Sequence, residues 1–177
     1  SGIKLCSALK KQYNFDAISL MPTNLYGPGD NYNLNNSHVL PALIRKFYEA
    51  KIKNKAEVVC WGTGSPLREF LHVDDLGDAC VFALENWLPD KNDIHYLNVG
   101  TGIDITIKNL AEIISNEIGF KGDIKWDSSK PDGTPKKQLD ITKLTNLGWE
   151  AKIGFVSGIK STIKEYLKEL ENGILRE

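Results

Sequence analysis

His38 is the residue whose type and position in this sequence most clearly suggest chemistry. It ends a long, polar, turn-rich loop and stands where a helical pattern begins. A side chain at such a junction commonly faces a ligand, and an imidazole can donate or accept a proton near neutral pH. His38 is therefore a candidate general acid or base, with a helix cap or an ordinary surface histidine as the alternative. His72 and His95 lack such surroundings and are interpreted as structural.

Trp61 and Arg68 flank a turn rich in glycine, Gly62–Pro66. The planar guanidinium of Arg68 suits the oxygens of a diphosphate, to which it can form two parallel hydrogen bonds. Trp61 could pack on a sugar or a base, or it could be a buried residue at the end of a strand. Lys46 follows His38 by eight positions, a helical rotation of about 80°. It could therefore reach the same ligand or belong to a solvated helix face.

The loop Lys130–Lys137 carries three lysines around Asp132 and two prolines. The prolines stiffen the loop, and the lysines give it cationic ends that could bind phosphate. From these residues alone, a basic surface loop without a ligand is the alternative interpretation.

Pro22, Thr23, Asn24 and Leu25 lead out of a short apolar strand that is predicted over residues 17–21. Proline cannot continue a central ladder, so the strand is expected to end here. The carboxyl end of a buried strand is where open α/β sheets hold their ligands. These residues therefore offer backbone groups to a ligand, unless they form only an ordinary turn at the strand exit.

Helical and extended patterns alternate along the chain. Helices are predicted over residues 1–13, from a cap at Ser37, from Asp74, from a cap at Thr106 to Gly119, over 142–147 and from Phe155. Strands are predicted over residues 17–21, 58–61, 70–73, 94–99 and 123–126. The alternation favours a parallel α/β arrangement with an added smaller lobe. The strands at 17–21 and 94–99 are the candidates for a doubly wound sheet.

The composition is that of an ordinary globular protein, with 41% hydrophobic and 25% charged residues in a chain of 177. No apolar run approaches the roughly 18 residues of a membrane helix, so no membrane partner is expected. Lysine and arginine total 22 against 23 acidic residues, which gives no reason to expect a nucleic-acid partner. Cys6, Cys60 and Cys80 lack metal-like spacing and are interpreted as inert buried thiols of a cytoplasmic protein.

Four segments together resemble the GDP-L-fucose synthase family of extended short-chain dehydrogenase/reductases, over nearly all of the chain. They are Met21–Pro28 (MPTNLYGP), Asn36–Val39 (NSHV), Trp61–Phe70 (WGTGSPLREF) and Lys130–Lys137 (KPDGTPKK). The first is typical of sugar-nucleotide enzymes across the superfamily, and the other three narrow the resemblance. Lys136 stands where the family has arginine, and it keeps the charge but not the paired hydrogen bonds.

This resemblance implies an α/β fold, the C-terminal part of a doubly wound Rossmann fold that binds NADP(H), with a smaller substrate lobe. Residues 1–28 and 68–100 would belong to the Rossmann domain, and residues 29–67 and 101–177 to the lobe that binds a GDP-sugar. The sequence lacks the family's glycine-rich dinucleotide turn and its Tyr-x-x-x-Lys. The chain is therefore expected to be part of a longer enzyme, a homodimer when whole, and to be inactive by itself.

The resemblance also implies roles for the candidate residues. His38 would be the general acid that epimerises GDP-4-keto-6-deoxymannose at C3 and C5, before NADPH-dependent reduction at C4. It would also contact the cofactor, together with Pro22, Thr23, Asn24 and Leu25. Substrate binding would fall to Lys46, Trp61, Arg68, Asp132 and Lys137. The alternatives are another NAD(P)-dependent epimerase or dehydratase of sugar nucleotides and a noncatalytic fragment that binds nucleotide sugars.

Overall fold

Helices and strands alternate through residues 2–89 and 96–176, the part of the chain that the computed structural model describes. The helices are α1 (Gly2–Tyr13), α2 (Val39–Ile52), α3 (Val73–Asn86), α4 (Ile107–Ile118), α5 (Thr142–Asn146) and α6 (Phe155–Glu171). The strands are β1 (Ser19–Pro22), β2 (Asn24–Tyr26), β3 (Glu57–Trp61), β4 (Leu67–His72), β5 (Tyr96–Val99), β6 (Asp104–Thr106), β7 (Asp123–Asp127) and β8 (Lys136–Lys137). The start of the strand predicted over 94–99 lies outside the described residues.

The strand β4 is the element around which the other short strands gather. It pairs in parallel with β2 and β8 and antiparallel with β6. Since β6 and β8 both pair with Leu67 and Arg68, they lie on opposite edges of β4. β1 pairs in parallel with β5, as expected for the two strands assigned to a doubly wound sheet, and β3 pairs in parallel with β7. These parallel pairs among helices confirm the predicted α/β fold class.

Apolar side chains pack into two clusters. The larger one joins α2, α4 and α6 and includes Phe47, Leu110, Ile114, Ile159 and Tyr166. The smaller one joins α3 to β1 and β5 and includes Ala79, Ala83, Leu97, Val99, Leu144 and Trp149. Full burial of a large aliphatic or aromatic side chain contributes about 1.5–3 kcal/mol. The loops that leave β1, β3 and β4 therefore start from well-anchored elements.

The two predicted hydroxyl caps have different outcomes. The Thr106 hydroxyl accepts a hydrogen bond from a backbone N–H of the first turn and thereby caps α4. At the other end of this helix Gly119, with a φ of 76°, is the C-cap residue. The prediction for Ser37 is wrong, because the cap position of α2 belongs to His38. The Ser37 N–H donates to Asn33 O, and this bond keeps Ser37 within the preceding loop rather than at the helix start.

His72 caps α3, which confirms its interpretation as a structural residue. Its Nδ1 accepts a hydrogen bond from the Asp74 N–H at 3.2 Å, and the side chain is buried. The helix consequently begins at Val73, one residue before the predicted start. His95 lies outside the described residues, so its structural role stays a prediction.

The buried face of α3 differs from the apolar stripe that helical spacing predicts, namely Leu76, Cys80, Leu84 and Trp87. Leu84, which that stripe placed in the core, is 75% exposed, and the buried positions are Asp75, Ala79 and Ala83. The Asp75 carboxylate accepts hydrogen bonds from the backbone N–H groups of residues 152–153, at 3.1 and 3.0 Å. This pairing lets a charged side chain face inward, and it rotates the helix away from its most apolar stripe.

The cysteines are free thiols, but they are not equally buried. Cys60 is buried as predicted, whereas Cys6 and Cys80 are only half-buried, because α1 and α3 each pack along a narrow face. Within the described part of the chain, no group of three histidine, cysteine or acidic side chains is arranged to hold a metal ion. None of the described helices combines the length and the apolar character needed to cross a lipid bilayer.

Candidate functional site

His38 lies at the start of α2, beside a cleft of about 410 Å³. Its backbone is extended, with φ −68° and ψ 163°, and its side chain makes no capping hydrogen bond to the described helix. The capping alternative for the imidazole is therefore wrong. The ring is exposed and lines the cleft, where it can exchange a proton with a ligand.

Residues 23–25 line the same cleft because β1 ends at Pro22 and the chain then turns into β2. The Thr23 hydroxyl and the Asn24 side-chain amide both donate to the backbone oxygen of Glu69, at 3.2 and 2.7 Å. These bonds fix the segment against β4. Pro22 itself is exposed, pairs with the last residue of β5 and is not among the residues that line the cleft. The structure therefore brings three of the four predicted residues into the cleft.

Lys137 reaches this cleft from a distant part of the chain. It belongs to β8, which pairs with β4, and its Nζ lies 3.5 Å from Asn24 Oδ1. The lining thus combines an imidazole, an amide and an ammonium group. Such a set suits a polar ligand that carries negative charge.

Asp30 and Arg176 also line the cleft, and neither is among the residues predicted from the sequence. Burial raises the pKa of the Asp30 carboxyl above its usual value, while the Asn31 N–H and the nearby His38 and Arg176 oppose this rise. Asp30 could have been found from its place in the loop that ends at His38. No local signal marks Arg176, because it reaches the cleft through the C-terminal segment, whose backbone oxygen accepts from Tyr32 N–H.

A second hollow, of about 200 Å³, is lined by Val39, Trp61, Arg68 and Asp132. Three of the predicted substrate-binding residues, Trp61, Arg68 and Asp132, therefore line one hollow. Val39, which lines the same hollow, directly follows the candidate acid His38 in the chain. Trp61 is 65% exposed, and the alternative of a buried tryptophan is therefore wrong. The Arg68 Nη1 donates to its neighbour's backbone oxygen at 2.8 Å, which holds the guanidinium beside its own strand.

Two lysines flank the indole of Trp61. The Nζ atoms of Lys46 and Lys130 lie 5.3 and 5.7 Å from the ring centroid. Cation–π contacts of this kind contribute about 0.5–1 kcal/mol at exposed sites. Lys46 is half-buried against this ring rather than on a fully solvated helix face, and the contacts keep the indole at the rim of the hollow.

Asp132 fastens the loop Lys130–Lys137 to the turn that follows Trp61. Its carboxylate accepts hydrogen bonds from the Thr63 N–H and hydroxyl at 2.7 and 2.8 Å. A Cβ atom at Gly62 would collide with this carboxylate, so the close approach requires glycine there. Asp132 thereby holds its loop where Lys130 lies next to the exposed indole.

The cleft and the hollow together offer a proton-transfer group, several cations and an exposed aromatic ring. A ligand with a reactive polar end, a diphosphate and a base would find a complementary group for each part. The predicted substrate-binding residues therefore converge on one region, although they come from α2, β3, β4, β8 and the loop before β8.

Comparison with known proteins gives the family of the chain. Residues 1–100 match the model of the NAD dependent epimerase/dehydratase family. The probable GDP-L-fucose synthase 1 of Oryza sativa subsp. japonica is 54% identical over 170 residues, which are 96% of this chain and 51% of that protein. The GDP-L-fucose synthase of Escherichia coli (strain K12) is 49% identical over 173 residues, 95% of this chain and 54% of that protein.

A solved structure shows the same fold. The GDP-L-fucose synthetase from Naegleria fowleri bound to NADP has a TM-score of 0.80 and 31% identity, covering 90% of this chain and 47% of that one. This chain spans about half the length of the curated relatives it matches. The relatives confirm the resemblance to GDP-L-fucose synthases that the four motifs predict. The chain belongs to the NAD dependent epimerase/dehydratase family.

Proposed function

We propose that this chain forms the part of a GDP-L-fucose synthase that holds the GDP-sugar and protonates it. The observation that carries the proposal is the start of α2, where His38 lines the cleft and Val39 lines the hollow that contains Trp61 and Arg68. A sugar in the cleft, its diphosphate between Lys137 at the cleft edge and Arg68 in the hollow, and its base against Trp61 would then occupy neighbouring sites. The names of the relatives support the same substrate.

His38 would act as the acid of the epimerisation at C3 and C5. The ketone at C4 acidifies the protons on both neighbouring carbons, so a base can remove one of them and leave an enolate. The protonated imidazole of His38 would then donate a proton from one of its nitrogens to this carbon. The donation would occur on the face of the sugar opposite to the one from which the base removed the proton, so the configuration of the carbon is inverted. Acid–base catalysis of this kind typically contributes about 10²–10⁴-fold in rate.

The floor of the cleft fits the nicotinamide ribose of NADP(H). Residues 23–25 line the cleft, and the bonds from Thr23 and Asn24 to Glu69 O keep this segment in place. When bound, NADPH supplies the reducing equivalents for the C4 carbonyl. The segment 23–25 and His38 would orient the ring and the sugar toward each other. The Naegleria fowleri structure, described as bound to NADP, supports this assignment.

The remaining predicted residues would hold the GDP part. The exposed indole of Trp61 suits stacking on the base, and the charges of Arg68 and Lys137 suit the diphosphate. Lys46 flanks the indole, and Asp132 holds the turn after it. We therefore assign these two residues to substrate binding chiefly through the placement of Trp61.

We also propose two lobes, residues 1–28 with 68–100 and residues 29–67 with 101–177. The two separate apolar clusters support this division, although Leu144 and Trp149 pack into the cluster built mainly by the first lobe, and Tyr26 and Phe70 pack into the other. The enzyme would be a cytoplasmic homodimer when whole. The free thiols and the exposed Leu84 on α3 are consistent with a reducing compartment and with a covering partner.

Calorimetric titration of the chain with GDP tests the substrate assignment. Arg68→Ala and Lys137→Ala should each weaken binding about ten- to a hundredfold, because a hydrogen bond to a charged group contributes roughly 1.5–3 kcal/mol. Lys121→Ala removes an exposed lysine away from the cleft and the hollow, and it should bind GDP normally. Normal binding by both site variants would show that these residues form only a basic surface.

NADPH titration of the same variants, placed in an enzyme that also has the glycine-rich turn, tests where the loop lies in the site. The affinity for NADPH should change much less than the affinity for GDP, because the cofactor diphosphate would bind at that turn, which is absent from this sequence. An equal loss of NADPH affinity would place Lys137 in the cofactor half of the site. A related epimerase of another sugar nucleotide would bind a nucleoside diphosphate but would not epimerise GDP-4-keto-6-deoxymannose at C3 and C5.

A further inference from the structure

Glu69, in the middle of β4, has no exposed surface. Its Oε1 accepts hydrogen bonds from the N–H groups of Thr101 and Gly102 at 2.6 and 2.8 Å, and its Oε2 accepts one from Leu139 N–H at 2.8 Å. Burial of a carboxylate is strongly unfavourable unless such donors surround it. The three amides therefore explain how the charge is tolerated, but they do not explain why a glutamate stands there.

The backbone oxygen of the same residue serves the floor of the cleft. It accepts the hydrogen bonds from the side chains of Thr23 and Asn24, and Asn24 Oδ1 in turn lies 3.5 Å from Lys137 Nζ. Leu139, which the carboxylate holds, is two residues after Lys137. Glu69 therefore fixes the cleft floor through its main chain and the lysine-bearing segment through its side chain.

Gly100 shows that this contact is part of the fold. A Cβ atom at this position would collide with the Glu69 carboxylate, so the turn at residues 100–102 can close on it only with glycine there. The carboxylate thus links three segments that are distant in sequence, namely β4, the turn after β5 and the segment after β8.

We propose that Glu69 is a positioning residue that sets Lys137 against Asn24 at the edge of the cleft. The consequence for GDP affinity rests on the proposed function, whereas the link between the two segments does not. A residue that only stabilised the fold would lower the melting temperature without a selective effect on the site. A positioning residue should change ligand affinity through Lys137.

Asp75 provides a matched control. It is also a buried carboxylate that accepts two backbone N–H bonds, but its partners, Lys152 and Ile153, line neither the cleft nor the hollow. Glu69→Gln and Asp75→Asn each replace a buried carboxylate with its isosteric amide. In each variant one acceptor becomes a donor, which then opposes a backbone N–H.

Calorimetric titration with GDP distinguishes the two roles. Glu69→Gln should weaken GDP binding about tenfold or more, whereas Asp75→Asn should change the Kd less than about twofold, with comparable losses in Tm. The double variant Glu69→Gln/Lys137→Ala should bind GDP about as weakly as Lys137→Ala alone, because the glutamate acts through the lysine. Equal affinity losses in the two amide variants, or fully additive losses in the double variant, would overturn the proposal.

Hydrogen exchange in the unmodified chain tests the link without a variant or a ligand. The amides of Thr101, Gly102 and Leu139 should have protection factors within about threefold of one another, because one carboxylate releases them together. Fast exchange at Leu139 beside protected Thr101 and Gly102 would overturn the proposal. If the unmodified chain did not bind GDP, the proposed function would fail, and the exchange of these three amides would still show whether Glu69 links the two segments.

Discussion

Trp61 presents an exposed aromatic ring beside two cations. Its indole is exposed at the rim of the hollow, with the ammonium groups of Lys46 and Lys130 beside it. A flat ring held in this way can stack on a base, an interaction that contributes about 1–3 kcal/mol. The proposed site therefore gives a reason for the exposure of this large apolar side chain to solvent.

Trp61→Leu should therefore weaken GDP binding about five- to a hundredfold in calorimetric titration. The change removes the stacking surface and keeps an apolar side chain. Phe15→Leu, at an aromatic residue that is 52% exposed and away from the hollow, serves as the control and should bind GDP normally. Unchanged affinity in Trp61→Leu would show that the indole is not a platform for the base.

Asp30 should make the stability of the chain depend on pH. Burial raises the pKa of its carboxyl above the unfolded value, against the opposing effects of the Asn31 N–H, His38 and Arg176. The folded chain therefore binds this proton more readily than the unfolded chain. The resulting destabilisation is complete above the folded-state pKa and is absent below the unfolded pKa of about 3.9.

Asp30→Asn should raise the Tm by about 1–3 °C at neutral pH, because it removes a carboxylate that is partly buried. The gain should shrink as the pH falls toward about 3.5, where the wild-type carboxyl is protonated in both states. Differential scanning calorimetry at several pH values gives both quantities. A gain of the same size at all pH values would contradict the raised pKa of Asp30.

Several residues that line the cleft and the hollow could be predicted from the sequence, but the residues that hold them in place could not. His38 could be predicted from its place between a loop and a helix, and Trp61 and Arg68 from the motif that they share with relatives. Glu69 resembles a single acid in an apolar strand, and Arg176 lies at the far end of the chain. Their roles arise from contacts between segments distant in sequence, which no local pattern records.

Thr106 and Ser37 show the same limit of local patterns at the starts of two helices. Both are hydroxyl residues just before an apolar helical stripe, but only Thr106 accepts a capping hydrogen bond, from Asn109 N–H. Thr106→Ala should lower the free energy of unfolding by about 1 kcal/mol, within a range of roughly 0.5–2 kcal/mol.

Ser37→Ala is the matched control for this change and should have a much smaller effect. The Ser37 hydroxyl has no hydrogen-bond partner in the described part of the chain. Urea denaturation of both variants gives the comparison. Equal losses of stability would mean that Thr106 is not the residue that caps α4.

The longer elements could be predicted, and the shortest strands could not. The helices α1, α4 and α6 and the strands β3 and β7 carry clear periodic patterns, and the structure confirms them. The strands β2, β6 and β8 have two or three residues each and form by pairing with β4. These short strands place Asn24 and Lys137 near each other, so the geometry of the site was less predictable than its residue types.

The whole chain combines a candidate acid with a cleft proposed for the cofactor and a hollow proposed for the substrate. It spans about half the length of its curated relatives, and its sequence contains neither a glycine-rich dinucleotide turn nor Tyr-x-x-x-Lys. Loss of members of a cooperating catalytic set commonly costs several orders of magnitude in rate. The proposed reaction therefore requires groups from outside these 177 residues.

A chimaera can supply those groups. In it, this chain would replace the 173 matching residues of the Escherichia coli GDP-L-fucose synthase, to which it is 49% identical. The chimaera should oxidise NADPH with GDP-4-keto-6-deoxymannose, whereas the chain alone should not. The chimaera is therefore the enzyme in which the role of His38 can be measured.

Deuterium incorporation into the epimerised sugar is the most direct test of the claim that His38 is the acid. In deuterated water, His38→Asn should slow the incorporation of deuterium at C3 and C5 about 10²–10⁴-fold, because the imidazole transfers the proton. Its affinity for GDP should change less than about twofold, and Ser37→Ala should react at the unmodified rate. Incorporation at the same rate with and without the His38 imidazole would contradict the assignment.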